Sequence, residues 1–544
     1  MTFAIFIAGK ARSHKKSSGE LMLQTNQGSP VTIARVSPRW PVLCFFLVLV
    51  LPVTFPVQAQ LPDIGEASIR DLQLAMEKGE LTAASLVAAS LARIEAFDDQ
   101  GPALNAIIHL NPQAREQAQA LDEERRRTGP RGPLHGIPVI LKDNYATLDM
   151  PTSGGSQALA DFIPDANATQ VQRLLDAGAV ILGKANLHEF AYGITTISSL
   201  GGQTRNPYDL TRIPGGSSGG SAAAIAAGFA TIGMGSDTCG SIRIPAAFNN
   251  LVGLRPTKGL SSIYGVMPLS STQDVAGPLA RSITDLAVVL DIVVGYDPLD
   301  PATAPMQQRE PPRFREQLGK ASLQGVRIGR LLDYYDTAQP AVQALLDGAL
   351  EQMTALGTVV VDVRIPNFSD LISRSGVIGQ EFESDLNAWL AEFGSTDYTS
   401  LEAIVATGLH HEAVDGLLTR SAAATQDPAL YRAALLAREE LRAAVEAAMQ
   451  AQNLELLAYP PIGALPVVIG EPQPGNNCSL SAHSGLPALS LPMGFTEEGL
   501  PLGIELLGAA FMDARLLALG YEFEQHTPYR RAPASTPSLL RLER

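Results

Sequence analysis

Apolar residues recur along this chain in two rhythms. Between residues 69 and 94 they fall at helical spacing: Ile69, Leu72, Leu74 and Met76 in a run that Gly79 stops, then Leu86, Val87, Leu91 and Ile94 behind Thr82, which suits an N-cap. From Gly132 to about Asp300 the rhythm changes to short, unbroken apolar runs at 137–141, 179–182 and 229–234. Between the first two of these, residues 169–177 read as a helix closed by Gly178. Runs of this kind are strands buried on both faces, and their alternation with helices predicts a mostly parallel sheet covered on both sides. Residues 300–460 read as mainly helical, most strongly over 435–449, where Ala, Leu, Glu and Arg dominate. Strand-like runs return at 454–458 and 488–491, and no internal repeat is found.

The first 59 residues stand apart. Arg35 and Arg39 precede an apolar run from Pro41 to about Phe55, followed by Val57, Gln58 and Ala59. A basic flank, a short apolar stretch and small residues before a cut describe a secretory signal. The run is broken by Pro52 and Pro56 and is shorter than the roughly 20 residues a spanning helix needs. The expectation is an exported chain, periplasmic or secreted, cleaved near Ala59 and without stable membrane association afterwards. An uncleaved N-terminal anchor is the alternative, and Met22 is a second candidate start. Residues 60–544 would then form a single domain.

Charge narrows the partners. The net charge is −15, and the first 59 residues hold six Lys/Arg against the single acid Glu20, so the remainder is more acidic still. A broad nucleic-acid surface is excluded on that ground. Cys44 lies in the apolar run, leaving Cys239 and Cys478 in the body with no Cys-x-x-Cys pair. Metal or redox sites built on such pairs are excluded; export permits a disulfide, but two cysteines set no framework.

Three polar, glycine-bearing stretches interrupt the apolar pattern. Lys142 ends the 137–141 strand, where a lysine is rarely buried unless paired or functional. Residues 214–221, Pro-Gly-Gly-Ser-Ser-Gly-Gly-Ser, run straight into an Ala-rich helix and gather hydroxyls and N–H groups at its start. Residues 235–246 place Ser241 in a tight turn after the 229–234 strand. A Gly-x4-Gly-Lys spacing at 178–184 is not a phosphate loop, because its middle is an apolar strand and Ala185 cannot bind magnesium.

Together these stretches resemble the amidase signature family. The likeness runs from Gly215 through the Ser241 loop to Gly253-Leu254-Arg255-Pro256-Thr257. It extends to Leu104-Asn105-Ala106, to 131–138, to Lys142-Asp143-Asn144, to 152–156, to Asp274-Val275-Ala276-Gly277-Pro278 and to 484–494. Residues 300–460 match only loosely and would be the variable, substrate-shaping part. The resemblance implies an α/β fold with a large mixed, mostly parallel sheet covered by helices. It also implies amide hydrolysis through a Ser–Ser–Lys set: Lys142 as base, Ser217 as cis-configured bridge, Ser241 as nucleophile. Backbone N–H groups of Thr238, Cys239, Gly240 and Ser241 would form the oxyanion hole, with Gly215, Gly216, Ser218, Asp237 and Arg243 in support. The family usually has glycine or a small polar residue where Cys239 stands, so a positive φ there would strain this chain. No cofactor or metal is implied.

The chemistry fits that assignment. A serine hydroxyl needs an adjacent base, and a lysine serves only when burial holds its amine neutral. A Ser-His-Asp set would draw on His135, His188 or His483, yet none lies in a loop that marks it as a base. The partner expected is a small amide: peptide amide, aryl amide, fatty acyl amide or carbamate. A glutamine-hydrolysing component of an amidotransferase is the alternative within the family, and a non-catalytic binding protein on the same scaffold is the alternative outside it. Gly376, Val377, Ile378, Phe382, Leu386 and Trp389 read as helix core before they read as pocket wall.

Overall fold

The computed structural model describes residues 63–394 and 398–539. The signal-like segment therefore lies outside the described residues. Local signals set the first helices: Ser68 and Thr82 cap Ile69–Glu77 and Ala83–Ile94 with reciprocal capping boxes. Leu74 departs from the expected apolar face and is exposed.

The strands in chain order are β1 Ile107–Leu110, β2 Pro138–Lys142, β3 Val180–Ala185, β4 Ile197–Ser198, β5 Gly202–Gln203, β6 Ile232–Asp237, β7 Val252–Arg255 and β8 Val275–Ala280. They continue with β9 Arg327–Leu331, β10 Val359–Val363, β11 Leu456–Tyr459, β12 Ala488–Phe495 and β13 Pro501–Leu507. Eleven of them form one sheet in the order β1-β3-β2-β6-β8-β7-β12-β13-β11-β9-β10, while β4 and β5 pair separately. Helices flank the sheet, as the apolar pattern requires.

The sheet is mixed, but parallel pairs are the minority. β2 runs parallel to β3 and β6, and β9 runs parallel to β10 and β11; every other pair is antiparallel. The expectation of a mostly parallel sheet fails for a physical reason. Burial on both faces, not strand direction, produces an unbroken apolar run, and β2, β3, β6, β7, β8 and β13 are buried at every position.

Residues 300–460 are mainly helical, with Pro340–Ala355, Ile378–Glu392 and the 24-residue Pro428–Ala451 as the long helices. They also supply β9 and β10, which the sequence pattern did not reveal. Edge strand β10 is only partly covered, so it lacks the continuous apolar burial seen in the centre. Phe382, Leu386 and Trp389 are core residues: Trp389 stacks on Phe393 at 5.1 Å, and Phe382 meets Tyr192 edge-on at 5.2 Å. Gly376 is exposed.

Candidate active site

β2 and β6 are parallel neighbours in register Leu141↔Met234, so their C-terminal ends deliver Lys142 and Ser236 side by side. Lys142 is fully buried, and its Nζ donates to Ser217 Oγ at 2.7 Å and Ser236 Oγ at 2.8 Å. Asn144 Nδ2 donates to the same Ser236 hydroxyl at 3.0 Å. No ion pair involves Lys142 among the described residues. Burial draws its pKa down to about 7, against a weaker upward pull from Asp274 and Asp237. One strand away, Lys184 is equally buried but lies 3.0 Å from Asp143 and donates to Thr152 Oγ1 at 2.8 Å. That pairing accounts for the lysine of the rejected phosphate-loop spacing.

Ser217 stands where the Gly/Ser stretch turns into the Gly219–Ala226 helix, whose N-cap is Ser218. The Gly216–Ser217 peptide bond is cis, as the resemblance implies. Gly216 is required by close approach, since a Cβ there would meet Thr196 Oγ1 at 2.8 Å and Ile194 C at 2.9 Å. Thr196 Oγ1 also donates to the Gly215 carbonyl at 2.7 Å, pinning the turn from outside. Ser218 N–H donates to the Ser241 carbonyl at 3.1 Å, which joins the two serine-bearing loops directly. No hydrogen bond joins Ser217 Oγ to Ser241 Oγ in this state.

Residues 238–242 connect β6 to the Arg243–Phe248 helix. Asp237 organises the turn: Oδ1 accepts from Gly240 N–H at 2.8 Å, and Oδ2 accepts from Ile242 N–H at 3.2 Å. This revises the expected oxyanion set, because the Gly240 N–H is already committed to Asp237. Among the described residues no partner takes the N–H of Cys239 or Ser241. The positive φ falls on Gly240, at 86°, and not on Cys239, so the strain expected of a cysteine at 239 does not arise.

Beneath the turn lies a buried ionic set that sequence inspection did not assemble. Arg243 Nε donates to Asp237 Oδ2 at 3.0 Å and its Nη1 to Glu505 Oε1 at 2.6 Å. Arg255 Nη1 reaches Asp237 Oδ1 at 3.0 Å. Tyr459 donates its hydroxyl to Glu505 Oε1 at 2.6 Å. Burial alone would raise the Asp237 pKa, but Arg243 and Arg255 outweigh it and hold the carboxyl well below the usual range. Two guanidinium groups and two carboxylates thus balance in a site without water access.

Other neighbours fix the flanks of the turn. Thr238 Oγ1 donates to the Asp274 carboxylate. Cys239 is bonded to Cys478 in a disulfide with Cα atoms 4.9 Å apart. Of the candidate histidines, His135 Nε2 contacts the Leu121 carbonyl at 2.8 Å and His483 Nδ1 contacts Ser375 Oγ at 2.8 Å. His188 accepts from Thr195 N–H at 3.2 Å. Burial holds His188 and His483 near pKa 3, hence neutral, and none of the three side chains hydrogen-bonds to Ser241 among the described residues.

A family model described as Amidase matches residues 85–517. The chain belongs to the amidase family. The A subunit of glutamyl-tRNA(Gln) amidotransferase from Chloroflexus aurantiacus is 36% identical to this family member over 489 residues, covering 86% of this chain and 98% of that protein. The native peptide amidase of Stenotrophomonas maltophilia superposes with a TM-score of 0.80 at 39% identity, over 88% of this chain and 100% of that one. The amidotransferase A subunit of Thermotoga maritima superposes with a TM-score of 0.69 at 28% identity, over 87% and 97% of the two chains. The protein is an amidase-family hydrolase acting on carbon–nitrogen bonds.

Proposed function

We propose that this amidase hydrolyses a small acyl amide, with peptide amides as the favoured class, through an acyl-enzyme on Ser241. The observation that carries the proposal is the fully buried Lys142, hydrogen-bonded at 2.7 Å to a Ser217 whose loop is joined to the Ser241 carbonyl. In this reading neutral Lys142 accepts a proton passed by Ser217 from the Ser241 hydroxyl. The Ser241 Oγ attacks the amide carbon, and the N–H groups of Thr238, Cys239 and Ser241 receive the developing oxyanion. Each such donor is worth roughly 3–4 kcal/mol in comparable sites. The proton then returns to the departing ammonia or amine, and water releases the acid.

The likeness to a peptide amidase supports the substrate class. We infer further that the chain works in an oxidising, extracytoplasmic compartment; the signal-like residues 1–59 and the Cys239–Cys478 pairing both support this. The same three serine and lysine positions would serve a glutamine-hydrolysing component of an amidotransferase, a reading supported by the 36% identity to such an enzyme's A subunit. One assay separates them: release of ammonia or amine from a peptide amide, an aryl amide, a fatty acyl amide, a carbamate and glutamine, each with wild type and Ser241→Ala. Turnover of the peptide amide that vanishes in Ser241→Ala is expected. Turnover of glutamine alone overturns the substrate class, and activity retained by Ser241→Ala overturns the nucleophile.

A further inference from the structure

We propose that the Cys239–Cys478 disulfide is a positioning element of the oxyanion loop, so that amide turnover depends on its staying oxidised. The inference rests on the assignment of Ser241 as nucleophile, and its tests are chosen to fail separately from that assignment.

The loop is restrained on both sides of Cys239 but not at it. Thr238 is held by its hydroxyl on Asp274 and by Gln273 Nε2 on its carbonyl at 3.2 Å. Gly240 and Ile242 are held by Asp237 at 2.8 and 3.2 Å. Between them, the Cys239 side chain is bonded to its disulfide partner, and the Ser479 hydroxyl lies 3.7 Å from its sulfur. Its N–H, unclaimed among the described residues, is one of the donors left to face an oxyanion.

The other end of the bond is a fixed wall. Cys478 is 3% exposed and caps the Ser479–Ser484 helix. Its carbonyl accepts from Arg243 Nη2 at 3.2 Å and its N–H donates to Asn476 Oδ1 at 3.0 Å. Arg243 in turn grips Asp237, so the disulfide and the Arg243 contact clamp the same helix start onto the loop from two directions. The loop also has no slack toward that wall, since a Cβ on Gly240 would lie 2.9 Å from Cys478 Cβ.

The two sulfurs differ in access. Cys239 is half-buried while Cys478 is buried, so an attacking thiolate meets the Cys239 sulfur first. A dithiol reductant forms a mixed disulfide there and expels the Cys478 thiolate, which takes up a proton. The second thiolate of the reductant then closes on the first sulfur and releases Cys239 as the second thiol. Two electrons pass from the dithiol, which leaves as a cyclic disulfide. The ionic set below the loop is untouched, so the fold persists while the Cys239 N–H loses its fixed aim.

The test uses the full chain, oxidised and after treatment with dithiothreitol under native conditions, with thiol content counted by alkylation and mass spectrometry. Reduced protein is expected to lose about a hundredfold in kcat, the order of effect of one oxyanion donor. KM should stay within about twofold, and activity should return on reoxidation. Cys478→Ser should show the low kcat with or without dithiothreitol. The rate of Ser241 labelling by a fluorophosphonate, which needs the loop but not the right amide, should fall in parallel. Unchanged kcat and labelling in protein proven to be reduced would overturn the proposal. A loss that tracks unfolding by circular dichroism would overturn it too, making the bond a plain staple. Ser241→Ala tests the nucleophile on its own.

Discussion

Gln273 Nε2 donates to the Thr238 carbonyl at 3.2 Å, which ties the loop carrying Ser241 to a side chain whose other end faces the variable region. The Gln273 Oε1 accepts from Val377 N–H and from Arg438 Nη1, each at 3.1 Å. Arg438 lies on the long Pro428–Ala451 helix and also donates to the Ser375 and Ala482 carbonyls. One amide side chain therefore spans the Ser241 turn and the helices expected to shape the acyl pocket. Gln273→Leu leaves a buried arginine short of an acceptor and should cost about 1–3 kcal/mol of stability. The same variant should lower kcat more than it raises KM; denaturant titration and steady-state kinetics on a peptide amide read the two effects.

Lys142 sets the acid limb of activity. Its folded pKa of about 7 means that the amine is protonated below that pH and cannot accept the Ser217 proton. The logarithm of kcat/KM should rise with pH up to about 7 and then level off. Lys142→Arg, always charged, should be inactive across the whole range, and a pH–rate profile of both proteins checks it.

Ser236 is the residue that tunes that limb. Its hydroxyl accepts from Lys142 at 2.8 Å and from Asn144 at 3.0 Å, and an acceptor favours the charged amine over the neutral one. Ser236→Ala should move the acid limb to lower pH and reduce the plateau rate, because the amine loses one of its two short hydroxyl contacts. A profile that keeps its midpoint would count against this role.

Lys142, Ser217 and Ser241 stood out as candidates because each is a polar residue in a glycine-bearing stretch at the edge of an apolar run, and the family resemblance then implied their roles. Their supports were hidden by distance along the chain. Ser236 lies 94 residues from Lys142, and Glu505 lies 262 from Arg243. Ser236 lies in the stretch that carries Ser241, but nothing local points it at Lys142; Glu505 is a single acid in an otherwise apolar strand, where outward exposure is the ordinary expectation. The parallel share of the sheet was overstated because burial hides direction, and β10, with four valines in five positions, was passed over inside a region read as mainly helical. The disulfide was permitted by the two body cysteines, but only the fold brings positions 239 residues apart in sequence to within 4.9 Å.

Glu505 should be a stability residue first. Glu505→Ala removes one of the two carboxylates that pair with buried Arg243, together with the acceptor of the Tyr459 hydroxyl, and should cost about 3–5 kcal/mol, as for other broken buried pairs. Glu505→Gln keeps the shape and should cost less. Chemical denaturation of both variants, with wild type alongside, measures the difference.

The wall against which the Ser241 loop is pressed comes from the last quarter of the chain: Cys478, the Ser479–Ser484 helix and Glu505 on β13. A product truncated before Cys478 would still carry Lys142, Ser217 and Ser241 in their full sequence context. It would score as a complete hydrolase by its short signatures while lacking the surface that holds its turn in place. For relatives shortened at the C-terminus, three matching side chains are therefore a poor proxy for turnover, and the integrity of this distant buttress is the better criterion.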